Sequence, residues 1–238
     1  MCAIGTIPNL RGPSESKRRL YLNALLSVIL YEAPVWSDEF SSARQKIRMQ
    51  LMSLQRSMAI RVIAAYRTVS LDAAILLARM PPLHIIAAKQ KRIYAGIREL
   101  LNEGTWTRKK AKEVHDKEQE AMMNQWERNI VDPKLWGKRK REAIHPNLLE
   151  WATRKHGRMT YRTTQLLTGH GSFGSYLYRI EKRESSACWF CEEEIDNADH
   201  TIGVCREWTE ERDALKEKIG PDLSLPALIA SILESSET

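Results

Sequence analysis

Residues 41–66 read SSARQKIRMQLMSLQRSMAIRVIAAY. Ile47, Leu51, Leu54, Met58, Val62 and Ala65 recur at intervals of three and four, while Arg44, Arg48, Gln55 and Arg56 fall mostly elsewhere. That spacing predicts one helix from about Ser41 to Tyr66 with an apolar stripe for a core. Nowhere in the 238 residues does a run of alternating β-branched residues suggest a sheet, so the chain reads as mostly α.

Outward from this helix the same periodicity continues. Upstream, Ser14 can cap a helix whose Leu20, Ala24, Leu25, Val28 and Ile29 share a face, and Pro34 ends it because the ring excludes a helical predecessor. Downstream, Ser70 caps a short helix to Arg79, and Pro81-Pro82 stops it. Leu83–Asn102 follows, with Ile85, Ile86, Ile93, Ile97 and Leu101 inward and Lys89, Lys91, Arg92 and Arg98 outward. From Thr105 to about Ile130 charges of both signs crowd in, which predicts a largely solvated helix. In DPKLWGKRKREAIHPN, residues 132–147, turn residues surround Lys138, Arg139, Lys140 and Arg141, a basic stretch suited to a phosphate backbone or to nuclear import. Helices resume over Pro146–Lys155, Tyr161–Thr168 and Phe173–Arg183. Trp36, Trp106, Trp126, Trp136 and Trp151 are expected to pin helix contacts.

Charge divides the chain. Residues 1–183 hold 33 Lys+Arg against 16 Asp+Glu, whereas residues 184–238 hold 4 against 14. The first part therefore has the electrostatic character of a surface that meets phosphates, and solvated basic helices are the blander reading. The longest apolar run, around Leu20 to Ala33, is too short and too polar for a membrane span. No basic-then-apolar leader opens the chain, and a nuclear or cytosolic compartment is expected. The remaining histidines stand singly, without a Ser or Cys partner, which leaves hydrolase chemistry unsupported.

Three of the four cysteines fall in CWFCEEEIDNADHTIGVC, residues 188–205. The spacing Cys188-x2-Cys191-x8-His200-x4-Cys205 is that of a zinc site. A Cys-x2-Cys turn aims two thiolates at one tetrahedral corner, and His200 with Cys205 closes the sphere, leaving no position for water. Such a Zn²⁺ is structural and replaces a core in a loop with little apolar content. Glu192, Glu193, Glu194, Asp196 and Asp199 read as solvated, with Asp199 a candidate to orient a ligand. Trp189 and Phe190 could stack on an unpaired base, or pack the loop onto Tyr176 or Trp208.

The order IPNLRGPSESKRRL, ILYEAPVW, QRSMAIRVIAAYRTVSLDAAILLARMPPL, WATRKHGRMTYRTTQLLTGHGSFGSYLYRI, the Cys-Cys-His-Cys set and WTEERDAL resembles the C-terminal part of the Pol protein of insect-type non-LTR (LINE-like) retrotransposons. The resemblance covers nearly the whole chain; it departs at Glu32, where the family usually has Gly after Tyr. It implies a thumb-like helical segment over residues 1–80, a basic helical linker over 81–183 and a zinc knuckle with acidic C-terminal helices over 184–238. It implies RNA and DNA partners, template-primer and target site, gripped through phosphates by residues such as Arg18, Arg19, Arg44, Arg48, Arg56, Arg61 and Arg67. The intact parent would add an endonuclease and a reverse-transcriptase palm whose paired carboxylates hold Mg²⁺. These 238 residues contain no Asp-Asp pair, so the chain alone is expected neither to polymerise nor to cut. The alternative is a protein-interaction module, or a domesticated remnant, that docks a partner through the acidic tail from Glu207 to Thr238.

Overall fold

The computed structural model describes residues 12–42 and 45–234, and among these the backbone is helix, turn and loop with no strand. The described residues begin with α1 (Glu15–Ile29), α2 (Ala33–Ser42) and α3 (Gln45–Val62). Next come α4 (Leu71–Leu77), α5 (Leu83–Asn102) and α6 (Arg108–Ile130). Shorter helices follow: α7 (Lys138–Ile144), α8 (Leu148–Thr153), α9 (Tyr161–Thr168) and α10 (Gly174–Arg179). The cysteine region carries α11 (Ala198–Gly203), and α12 (Thr209–Ile219) and α13 (Leu225–Glu234) close the described chain.

The core is one cluster that joins Leu22 of α1, Met58 and Val62 of α3, Leu76 and Leu77 of α4, Trp126 of α6, Trp151 of α8 and Leu167 of α9. Leu225 and Ile229 of α13 belong to the same cluster, so the segments expected from the sequence share a core. Trp151 is fully buried and its indole N–H donates to the Leu76 carbonyl at 2.9 Å. Helix α5 lies between α2 and α6, and α13 packs on α7.

Several helix ends differ from the periodicity. Helix α1 stops at Ile29, and Pro34 sits in the first turn of α2, where its missing N–H has no intrahelical partner to lose. The buried face of α1 is Arg18 and Leu22, with Leu25, Leu26 and Ile29 packed alongside, so Leu20 and Val28 face outward. Ser14 precedes α1 without a side-chain capping bond, while Ser70 does cap α4 by accepting from the Ala73 amide. Helix α3 ends at Val62 rather than Tyr66: Ala64 takes a left-handed φ of 53°, and the Ala65 amide returns to the Ile60 carbonyl at 2.9 Å. Only the second half of the α3 stripe is buried; Ile47 is exposed. Gln55 on α3 is buried, donating to Pro81 O at 2.8 Å and accepting from Leu83 N at 3.1 Å, which satisfies the start of α5.

Candidate metal centre and basic surface

The cysteine loop is built by local hydrogen bonds that turn four side chains inward. The Cys188 amide donates to Glu193 O at 2.8 Å, and Glu192 takes a left-handed φ of 61°, which reverses the chain between the two thiols and the rest of the loop. Asn197 caps α11 by accepting from His200 N at 2.8 Å, so the capping bond itself orients the histidine. The Cys205 amide returns to His200 O at 2.8 Å. Arg212 on α12, itself buried, donates to Ile202 O at 2.7 Å and also to Cys205 O, holding the last thiol in place.

The ligand atoms of Cys188, Cys191, His200 and Cys205 all lie within 4.8 Å of one another. Cys188 Sγ to Cys205 Sγ is 3.9 Å, Cys205 Sγ to Cys191 Sγ is 3.8 Å, and Cys191 Sγ to His200 Nε2 is 3.3 Å. Sulfurs at the corners of a tetrahedron with zinc–sulfur bonds of 2.3 Å stand roughly 3.8 Å apart, close to the two sulfur–sulfur separations given, so the group could hold a metal ion. Burial opposes the Cys188 thiolate, but the amides of Phe190 and Cys191 and the His200 side chain outweigh it and bring its pKa down to about 7. Burial pushes Cys205 up to about 11, with Cys191 and Cys188 adding to the rise. A cation among them would favour the thiolates outright.

Asp196 is buried rather than solvated, a correction with a clear reason. Its carboxylate accepts from the Gly174 amide at 2.7 Å and from Thr201 Oγ1 at 3.2 Å, fastening the loop to α10. A side chain at Gly174 would put Cβ 2.7 Å from Ser186 O, so only glycine lets the loop approach this closely. Asp199 pairs with Arg139 on α7 instead of orienting a ligand. Phe190 packs edge-on against Trp208 at 5.3 Å, and Trp189 lies under the Arg183 guanidinium at 4.2 Å with 60% of its surface exposed. His170 stands apart from the metal group, against Thr68 and Arg179.

The basic candidates separate into two sets. Arg18 and Arg141 are buried, a correction to the expectation that they face phosphates. Arg18 donates to Pro13 O and Arg61 O, the latter at the end of α3. Arg141 donates to Ile130 O, to Leu135 O at 2.8 Å and to Trp136 O at 3.3 Å, fixing the turn after α6. Arg56 donates to Val69 O at 2.8 Å and to Arg67 O, and Arg19 pairs with Glu15 while donating to Ala78 O at 3.0 Å. Arg48, Arg67, Lys138 and Arg139 are exposed, Arg61 and Lys140 half-buried, and Arg44 lies outside the described residues. Lys138 makes a loose ion pair with Glu142 at 3.7 Å. No described helix is long and apolar enough to cross a membrane.

Compared with known proteins, the chain is 27% identical over 84% of its length to the putative 115 kDa protein in type-1 retrotransposable element R1DM of Drosophila melanogaster. It is 23% identical over 92% of its length to the retrovirus-related Pol polyprotein from type-1 retrotransposable element R1 4 of Nasonia vitripennis. It is 31% identical over 44% of its length to the R1 Pol polyprotein of Popillia japonica. The matches take in 20%, 55% and 40% of those three proteins, respectively, so the chain spans only part of their length. No protein-family model and no solved structure matches the chain. The chain is thus similar to proteins of type-1 (R1) retrotransposable elements, two of which are named Pol polyproteins.

Proposed function

We propose that this chain is the nucleic-acid-binding, non-catalytic C-terminal part of a non-LTR retrotransposon reverse transcriptase: thumb-like helices over 1–80, a basic linker over 81–183 and a zinc knuckle over 184–238. The observation that carries the reading is similarity to proteins of R1 retrotransposable elements along 84% and 92% of the chain, the second of them a Pol polyprotein. Supporting it are the surplus of Lys and Arg before the cysteines and the exposed members of that set, Arg48, Lys138 and Arg139. Zinc is the ion of choice because three thiolates and one imidazole form a soft donor set that leaves no position open. Its role is to fold the knuckle. The parent polyprotein, acting in the nucleus, would supply the Mg²⁺-dependent palm and the endonuclease. The docking-tail alternative is less well supported, because Leu225 and Ile229 of the tail are buried in the chain's own core.

Binding of labelled RNA and of a primer–template duplex across a salt series tests this function. Affinity should fall linearly on a log–log plot with a slope set by several phosphates, and exchanging Lys138 and Arg139 for Gln should flatten it. Absence of binding at low salt, or affinity indifferent to salt, would refute it. Arg141 is left intact, since its loss would act through folding.

A further inference from the structure

Four separated segments converge on a cleft of 410 Å³ in which, of the residues given a metal- or phosphate-binding role above, only Lys140 of the basic stretch takes part. The segment leading into α4 brings Thr68, the start of α7 brings Trp136 and Lys140, the end of α9 brings His170, and α10 brings Arg179. No Asp or Glu lines it. Trp136, expected to pin helices, instead stands at the rim with 77% of its surface exposed. Its backbone is nevertheless anchored, the amide donating to Asp72 Oδ2 at 3.0 Å and the carbonyl accepting from Arg141 at 3.3 Å. Gly137 follows in the left-handed region at φ 78°, where a Cβ would lie 3.1 Å from that of Ala73. The sequence thus places a large aromatic on a fixed backbone and leaves its face in water, where burial contributes nothing.

Behind the indole, the polar groups are ordered. Arg179 donates to His170 Nε2 at 3.0 Å, so the ring proton is on Nδ1, which faces Thr68 Oγ1 at 3.0 Å. Thr68 is in turn 2.6 Å from the Tyr176 hydroxyl, and His170 stacks on that ring at 4.9 Å. Burial holds His170 down near 4, and the charges of Arg179 and Lys140 add to the effect, so it stays neutral and serves as a prop for the guanidinium. Burial also lowers Lys140, as do Arg139 and Arg179, while Asp199 opposes them. Two cations with no carboxylate in the cleft repel each other until an anion enters.

We propose that this cleft is a single-strand subsite: Lys140 and Arg179 hold one phosphodiester while the neighbouring base stacks on Trp136. Every base has a π face, so such a site would be tolerant of sequence and selective for unpaired strands. The inference rests on the nucleic-acid reading above and specifies the form of strand.

The test is binding of a short single-stranded RNA, of the same sequence as a duplex, and of inorganic phosphate and a mononucleotide, to the full chain with its metal bound. Trp136→Ala should lower single-strand affinity about 10-fold or more, leave the salt slope unchanged and spare the duplex; Trp136→Phe should restore most of the loss. Lys140→Gln should instead flatten the slope by about 0.7, the share of one phosphate. Helicity and metal content check that each variant is folded. Single-strand affinity within twofold of the parent in Trp136→Ala, or equal losses on duplex, would overturn the subsite while leaving nucleic-acid binding standing. A parent chain that binds no nucleic acid removes both, and competition by phosphate or mononucleotide at oligonucleotide-like affinity would reassign the cleft to a small anion.

Discussion

The helical body and the cysteine loop solve the same problem with different materials. In the body, Trp126, Trp151, Leu76, Leu77 and Ile85 are almost wholly removed from water and lie on helices whose periodicity aims them at one another. Between Ser186 and Arg206 the wholly buried positions are Cys188, Ala198, Cys205, Asp196 and His200, while Trp189, Phe190, Ile195 and Val204 remain exposed. An apolar core orders the first because burial scales with area. For the second, the inward-facing groups are chiefly donors suited to an ion and the large apolar side chains stay exposed, so coordination is expected to order it beside its local hydrogen bonds. The body should therefore fold without metal and the loop should not.

The largest expected effect separates the two. Chelation, or Cys191→Ser, should release about one zinc per chain, and the free energy of such sites, about 10–16 kcal/mol in isolated fingers, is the folding free energy of the loop. Helix α13 is held by Leu225, Ile229 and the 2.6 Å contact between His156 Nε2 and Leu233 O, so it should stay docked while residues 186–206 lose amide protection. Hydrogen exchange with and without chelator distinguishes this from collapse of the whole chain. A natively folded loop in metal-free protein would break the contrast.

Next in size is Trp151→Ala, which removes a buried indole and one of the two donors to the Leu76 carbonyl, the Arg79 amide at 3.1 Å being the other, at a cost of about 3–5 kcal/mol. Arg154, lying 3.5 Å over the same ring, would lose its platform. Urea denaturation should show the midpoint falling for the whole body, with metal binding retained below the new midpoint.

A smaller effect is expected at Glu15. This buried carboxylate accepts from Arg19, from Arg79 at 3.0 Å and from the Met159 amide at 2.6 Å, so it ties α1 to the turn after α8. Burial works against its charge, yet the hydrogen bonds from Arg19 and Met159 and the charges of Arg19 and Arg79 outweigh it and hold its pKa below the ordinary carboxylate value. The nearby Arg154 is lowered to about 9, by burial first and then by Arg79, so the carboxylate is what makes this crowd of guanidiniums tolerable. A depressed folded pKa stabilises the protein above the unfolded value and ceases to do so as pH falls through the folded one. Glu15→Gln should therefore cost about 3 kcal/mol at pH 7 and make the loss of stability between roughly pH 5 and 3 shallower than in the parent. Parallel acid profiles for the two proteins would exclude Glu15 as the linkage.

Much of this was legible in the sequence, and the failures have a common cause. Helix α5 begins and ends where its stripe and Pro82 place it, and the four donors of the metal group are apparent from spacing alone. Helix α7 was not legible: Lys138 to Arg141 looks like a solvated charge run, and nothing in the period shows that Arg141 serves three carbonyls of the preceding turn. Arg18, Arg56 and Asp196 fail in the same way, since Arg61, Val69 and Gly174, which complete their hydrogen bonding, lie far along the chain. Asn197 could have been found, as an N-cap residue three positions before His200 is a local signal. Trp136 could not, because exposure of an aromatic is decided by what fails to pack on it.

The smallest expected effect sharpens the contrast inside the body itself. Between α1 and α2 the chain turns at Glu32 with φ 54°, and the Ala33 amide donates to Leu30 O at 3.0 Å. A left-handed φ crowds Cβ against the carbonyl oxygen for any residue with a side chain, at a cost of roughly 1–2 kcal/mol, whereas glycine adopts it freely. Glu32 is exposed and has no packing to lose. Glu32→Gly should relieve the strain and, after the extra entropy glycine brings to the unfolded chain, raise stability by a few tenths to about 1 kcal/mol. Glu32→Ala, which keeps the Cβ, should gain nothing. Thermal denaturation of the three proteins settles the point: a gain confined to glycine assigns the effect to the backbone, and a gain shared by alanine assigns it to the carboxylate charge.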